Sequence, residues 1–240
     1  MRILSWNCNM AFRSKIEITK QWNPDLLIIQ ECESLEKFRK SNLDFDEDNF
    51  LWFGDNPNKG LAIISTNKNI QLKTSSIEVE NNRWFIPIET SNNLKFVAVW
   101  SMNKRKNKVI DYIAPTYRTI EDNLDVFKNS DFIIGDFNNN KTFDKRHSKR
   151  YEKGTFVHIL KLLNELNFAS VYHTKKKEAL GEESIPTLIW RKNFETVYHV
   201  DYCFLKKELF QKLDEFKIID DKKLISSSDH YPILFSLKIT

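Results

Sequence analysis

The sequence predicts one α/β domain built largely from mixed sheet, and three observations carry that prediction. Apolar runs of strand length recur from residues 2–7 to residues 231–237. Segments with apolar residues three or four apart fall between some of them, residues 156–166 being the clearest helix. At 240 residues the chain is long enough to bury a full core, and no linker, internal repeat or low-complexity segment divides it. The strands before and after Lys108 would then form two similar packed halves.

The elements follow in order. Residues 2–7 (RILSWN) form a first strand, with Ile3 and Leu4 inward and Asn7 at its end. Residues 14–22 have helical periodicity through Ile16, Ile18 and Trp22, and stop before Pro24. Residues 25–30 (DLLIIQ) form a buried strand delivering Glu31, and an acidic helix spans residues 33–39. Asp44 to Asp48 is an acidic turn. Residues 51–53, 61–65, 70–73, 84–89 and 94–101 are short strands, with an Asn-rich hairpin at residues 91–93, a spacing typical of antiparallel sheet. Residues 103–108 (NKRKNK) form a basic loop, and residues 116–128 a helix. In residues 130–140 (SDFIIGDFNNN) an apolar run is expected to end at Gly135 and release Asp136, Asn138, Asn139 and Asn140. A basic loop at 141–153 carries Arg146 and His147, and the helix at 156–166 carries His158 as a surface or packing residue. Residues 170–173, 187–191, 199–205 and 231–237 complete the strands.

Composition narrows the setting. An apolar fraction of 41% is globular, so disorder is not the default. A net charge of +4 permits a nucleic-acid partner without requiring one. Cys8, Cys32 and Cys203 are too few and too irregularly spaced for a disulfide framework or zinc site, so they read as buried, reduced thiols. No apolar run approaches the roughly 18 residues of a membrane helix, and no signal-type segment opens the chain. A cytoplasmic protein with no membrane association and no obligate protein partner is expected.

The chemistry lies at the strand ends. Asn7, Asn9, Glu31, Asp136 and Asn138 follow apolar strands, while Asp201, Asp229 and His230 stand at or near strand starts. In a sheet with antiparallel neighbours the start of one strand lies beside the end of the next, so all eight can meet on one rim. Such a set is rich in hard oxygen donors, which suits Mg²⁺ or Mn²⁺ bound together with a phosphate. Asp136 is the natural group to activate a water nucleophile. His230 can offer a hydrogen bond or positive charge to the phosphate, with a carboxylate such as Asp201 fixing its tautomer.

Five motifs carry a resemblance: SWNCN at 5–9, IIQE at 28–31, IIGDFN at 133–138, HVDY at 199–202 and SDHYPI at 228–233. In this order they resemble those of the endonuclease/exonuclease/phosphatase superfamily, which includes AP endonucleases and pancreatic-type deoxyribonucleases. The resemblance implies a four-layer α/β/β/α sandwich of two packed mixed sheets flanked by helices, and metal-dependent phosphoester hydrolysis. It implies Glu31 as principal metal ligand, with Asn7, Asn9 and Asp229 completing or supporting the site. Asp136 would activate or orient water, Asn138 hold the phosphate or that water, and His230, oriented by Asp201, contact the scissile phosphate. Thr187 and Trp190 resemble a Thr/Trp element that walls the cleft in the nuclease branch.

Two departures stand out. Met10 occupies a position that is often Gly in the superfamily, and the strand ending at Trp100-Ser101 lacks the usual His or Tyr near its end. Ser101 or Asn103 would replace that contact, and Trp100 either packs in the core or stacks on a base or sugar. Asn140, last of the amide series, joins these as a substrate-facing candidate. The basic loops at 103–108, 141–153 and 175–177 favour a nucleic acid, DNA first, over a lipid headgroup. The expectation is a Mg²⁺- or Mn²⁺-dependent nuclease. A phosphatase of small phosphorylated ligands or lipid headgroups, and a catalytically silent binder of nucleic acid, are the alternatives.

Overall fold

The computed structural model describes residues 1–40, 47–75, 84–101, 113–144 and 155–238. Asn103, the loop at 103–108, Arg146, His147 and most of the acidic turn before Glu47 lie outside them. The strands are β1 (Arg2–Asn7), β2 (Leu26–Cys32), β3 (Phe50–Asn56), β4 (Lys59–Ser65), β5 (Leu72–Thr74), β6 (Phe85–Thr90) and β7 (Lys95–Trp100). They continue with β8 (Phe132–Asp136), β9 (Phe168–Ser170), β10 (Leu188–Ile189), β11 (Val197–Tyr198), β12 (Asp201–Lys206), β13 (Leu213–Ile218) and β14 (Ile233–Leu237). The helices are α1 (Ile16–Thr19), α2 (Leu35–Arg39), α3 (Ile113–Asp122), α4 (Leu124–Lys128), α5 (Phe156–Glu165) and α6 (Val171–Lys176).

Two six-stranded sheets form, in the orders β13-β14-β1-β2-β4-β3 and β5-β6-β7-β8-β12-β9. Each has one parallel pair at its centre, β1–β2 in the first and β7–β8 in the second, and antiparallel pairing elsewhere. The two sheets thus repeat one pairing pattern, but the chain does not divide them at Lys108. The first sheet is finished by β13 and β14, which return from the far end of the sequence.

Period-two alternation explains how the layers pack. In the second sheet Phe96, Ala98, Phe132, Ile134, Cys203 and Leu205 share one core with Ile3 and Phe235 of the first. The intervening residues Val97, Val99, Ile133, Tyr202 and Phe204 face the other way and pack with Ile120, Phe127, Ile159 and Leu163 of α3, α4 and α5. On the first sheet Phe12 and Phe38 link the short helices to Trp6 and Phe50 through edge and tilted ring contacts. The result is an α/β sandwich. Cys8, Cys32 and Cys203 are buried unpaired thiols.

Several expectations change. The helix at 14–22 is broken into a 3-10 turn, α1 and a second 3-10 turn, and Asn123 divides the helix at 116–128. Of residues 170–173 only Ser170 is strand, closing β9; Val171 to His173 open α6, whose first turn Ser170 caps by accepting from His173 N–H. His158 serves the capping box of α5 with Thr155. Strand β13 had no distinct apolar alternation, and it pairs only along one edge, with β14. Gly135 does not end a strand. It sits inside β8 at φ 143°, where a Cβ would lie 1.9 Å from the Val99 carbonyl oxygen, so only glycine permits the close β7–β8 approach.

Candidate active site

The two parallel pairs end on the same rim. In the first sheet Asn7 pairs with Gln30, and Glu31 follows as the extra residue of a β-bulge opposite Leu61–Gly60. Glu31 takes φ 61°, a left-handed value, which turns its side chain out of the strand alternation. Trp52 secures the bulge by donating from its indole nitrogen to the Cys32 carbonyl at 3.0 Å. In the second sheet Asp136 pairs with Trp100 on one side and with Asp201 on the other.

The polar side chains of the two sheets meet through Asn7. Its Nδ2 donates to Asp136 Oδ2 at 2.9 Å and approaches Glu31 Oε1 at 3.5 Å. Its Oδ1 is occupied by the Asn9 N–H at 3.1 Å. In this arrangement Asn7 turns its amide donors toward both carboxylates. Asn9 Nδ2 donates to Asp229 Oδ1 at 3.2 Å, and Glu31 Oε1 accepts an ion-pair hydrogen bond from Lys59 at 3.0 Å. Asn138 donates twice to Asp136, from its backbone at 2.8 Å and its amide at 2.9 Å.

Asp136, Asp201 and His230 form the buried floor, with their ligand atoms all within 4.8 Å of one another. His230 Nδ1 bonds Asp201 Oδ2 at 2.9 Å, leaving Nε2 for a ligand. Thr187 Oγ1 accepts from the Val200 and Asp201 N–H groups at 2.9 and 3.0 Å, fixing the start of β12. Ser228 Oγ accepts from His230 N–H and donates to the Asn7 carbonyl, tying the segment before β14 to the end of β1. Burial raises the Asp136 carboxyl to about 7, and the neighbouring Asp201 charge adds to the rise. For His230 burial opposes protonation, but the charge and hydrogen bond of Asp201 outweigh it and push the imidazole well above its ordinary value.

Other candidates fall elsewhere. Trp100 is 2% exposed and packs edge-on against Trp84 at 5.1 Å, so it is a core residue and not a stacking surface. Ser101 Oγ is held by Thr116 Oγ1 at 2.8 Å. Asn140 is buried and caps a 3-10 turn through Thr142 while donating to the His199 carbonyl, so its role is structural. Trp190 is exposed in the β10–β11 hairpin, whose Ile189 N–H donates to the Asp229 carbonyl, so it stands beside the rim.

Sequence reasoning missed a support under the first sheet. Asn9, Met10 and Ala11 all adopt left-handed φ values of 52°, 64° and 51°, a costly run for residues other than glycine. Lys15 Nζ clamps it by donating to the carbonyls of Cys8, Asn9 and Met10 at 2.6, 3.3 and 2.7 Å. Glu33, read from the sequence as the start of an acidic helix, is buried and accepts from the Phe12 and Arg13 N–H groups. A lysine eight residues after Asn7 gives no sequence signal for such a clamp.

No family model and no curated protein sequence matches the chain. Solved structures do. A 3′-5′ exonuclease, NExo, from Neisseria meningitidis superposes with a TM-score of 0.68 at 16% identity, over 100% of both chains. An AP endonuclease from Archaeoglobus fulgidus gives 0.68 at 17% identity, again over 100% of both. The AP endonuclease LMAP from Leishmania major gives 0.70 at 11% identity, covering 100% of this chain and 88% of the other. The chain shares the fold of these solved nuclease structures.

Proposed function

We propose that this chain is a divalent-metal-dependent phosphodiesterase that hydrolyses nucleic-acid backbones, DNA first, and that it folds and acts as one domain. The observation that carries the reading is the Asn7 amide, which joins Glu31 of one sheet to Asp136 of the other. It supports one continuous site with a solvent-facing carboxylate rim and a buried proton-handling floor. The donor chemistry fits Mg²⁺ or Mn²⁺: Glu31 and Asp229 offer carboxylate oxygens, no thiolate is near, and the imidazole is committed to Asp201. Bound there, the cation would polarise a phosphoryl oxygen and neutralise charge on the leaving oxygen.

The chain's own groups do the rest. Asp136, raised to about 7, is poised to exchange a proton with water near neutral pH. His230, kept protonated by Asp201, supplies positive charge to the phosphate. Asn138 holds Asp136 in place and presents its amide edge beside the Ser101 carbonyl, to which it donates at 2.9 Å. Exposed Trp190 and Phe194, with Arg191 and Lys192 in the same hairpin, support a nucleic-acid substrate, since aromatic faces beside cations suit stacked bases and phosphates. One structural relative is named a 3′ phosphatase bound to a DNA hairpin product, which supports DNA and keeps terminal phosphate removal in view.

Plasmid nicking in Mg²⁺ or Mn²⁺ tests the reading, with Glu31→Ala and His230→Ala as controls. Metal-dependent cleavage abolished in both variants is the expected result. Inorganic phosphate release from a metabolite panel with nucleic acids untouched would move the assignment to a small phosphoester. Metal-independent DNA binding without hydrolysis, surviving Glu31→Ala, would point to a silent binder.

A further inference from the structure

Among the described residues at the end of β7, Ser101 is engaged by Thr116 and Trp100 is packed in the core. Directly over the Trp100 ring, 5.4 Å from its centre, lies the ammonium of Lys59. The same ammonium is 3.0 Å from Glu31 Oε1, with the lysine side chain 38% exposed and the Glu31 side chain 17%. Lys59 opens β4 after a tight hairpin, and its position is built rather than incidental. Gly60 beside it leaves room for the Trp52 indole, which a Cβ would meet at 2.4 Å, and that indole holds the Glu31 bulge through the Cys32 carbonyl. One hairpin thus fixes both the carboxylate and its cation.

We infer that Lys59 is a substrate-contacting residue of this site: a tethered cation that shares Glu31 with the divalent metal and, when the metal takes that carboxylate, turns its charge to the substrate phosphate beside Trp100. The inference rests on the proposed metal-dependent reading of Glu31. Physically it answers a charge problem. Asp136 and Asp201 crowd the floor, with His230 paired to Asp201, and Glu31 and Asp229 add carboxylates through Asn7 and Asn9, a set that repels an anionic phosphate. A second positive charge at the rim, desolvated on one side by an indole face, offsets that repulsion.

Two titrations test it. Mn²⁺ binding is measured by calorimetry on the wild type, Lys59→Gln and Glu31→Gln. Binding of a labelled single-stranded dodecanucleotide without metal is measured on Glu31→Gln alone and combined with Lys59→Gln or Lys161→Gln. Removing the competing cation should tighten Mn²⁺ binding about fivefold in Lys59→Gln. Adding Lys59→Gln to Glu31→Gln should weaken the oligonucleotide about fivefold, and Lys161→Gln, an equal charge change on α5, by less than about twofold. Unchanged or weaker Mn²⁺ binding in Lys59→Gln, or equal losses from the two lysines, overturns the inference and leaves the metal role of Glu31 standing. Glu31→Gln binding Mn²⁺ as tightly as the wild type overturns the proposed function, and this inference with it.

Discussion

The central strand ends of the two sheets use one backbone device for two kinds of chemistry. At the end of β1, the Asn7 side chain accepts from the N–H of Asn9, which is left-handed at φ 52°. At the end of β8, the Asp136 side chain accepts from the N–H of Asn138, left-handed at φ 51°. The neighbouring parallel strand ends in step in each case, delivering Glu31 in the first sheet and Ser101 in the second. An antiparallel strand then starts alongside, bringing Asp229 and His230 to the first and Asp201 to the second. The difference lies in exposure and charge. The first sheet turns Glu31 and Asp229 partly to solvent, where a hydrated cation can reach them, while the second buries Asp136 and Asp201 completely or nearly so. Under the proposed function, paired rims of one architecture would divide the labour, one holding a cation and the other managing protons.

Four substitutions break or sharpen that division. The largest effect is expected from Glu31→Gln, which removes the charge of the cation-holding rim: turnover in Mg²⁺ should fall about a thousandfold or more with little change in melting temperature. Asp201→Asn strikes the other rim and should cost about a hundredfold at pH 8. Its sign with pH is distinctive. The carboxylate raises the folded-state His230 value above the ordinary 6.5, so the wild type keeps its imidazolium through neutral pH. Without it burial draws the imidazole back down, so the charge is lost at lower pH and the pH–rate profile of the variant should fall off at lower pH than the wild type. Gly135→Ala forces a Cβ into the Val99 carbonyl and should destabilise by about 3 kcal/mol in urea unfolding. The smallest effect is expected in the left-handed turn of the first sheet. Met10→Gly relieves an exposed residue at φ 64° and should stabilise by at most about 1 kcal/mol.

Much of this arrangement was legible in the sequence because it follows from short-range rules. Uniform apolar runs marked β1, β2, β8, β12 and β14, and the polar residues ending or preceding them pointed to Asp136, Asp201 and His230, which cluster, and to Glu31, which Asn7 links to Asp136. What escaped depends on contacts made across the fold. Trp100 was ambiguous until Trp84 was found against it, and Asn140 looked like a site amide until it proved to be a cap. Lys15, Glu33 and Lys59 act on backbone or side chains brought near by turns and hairpins, and nothing in their local sequence distinguishes them from other charged residues. Trp190 was read as a cleft wall through the resemblance, and the Ile189 N–H beside it donates to the Asp229 carbonyl.

The central claim is that Glu31 and the Asp136–Asp201–His230 floor serve a single cation-and-phosphate site. A crystal soaked with Mn²⁺ and a short DNA product, read by anomalous scattering at the manganese edge, tests it most directly. The account predicts one strong peak within coordination distance of the Glu31 carboxylate, with a product phosphate oxygen between that peak and His230 Nε2. A peak held by other carboxylates, or a phosphate bound away from His230, would contradict it.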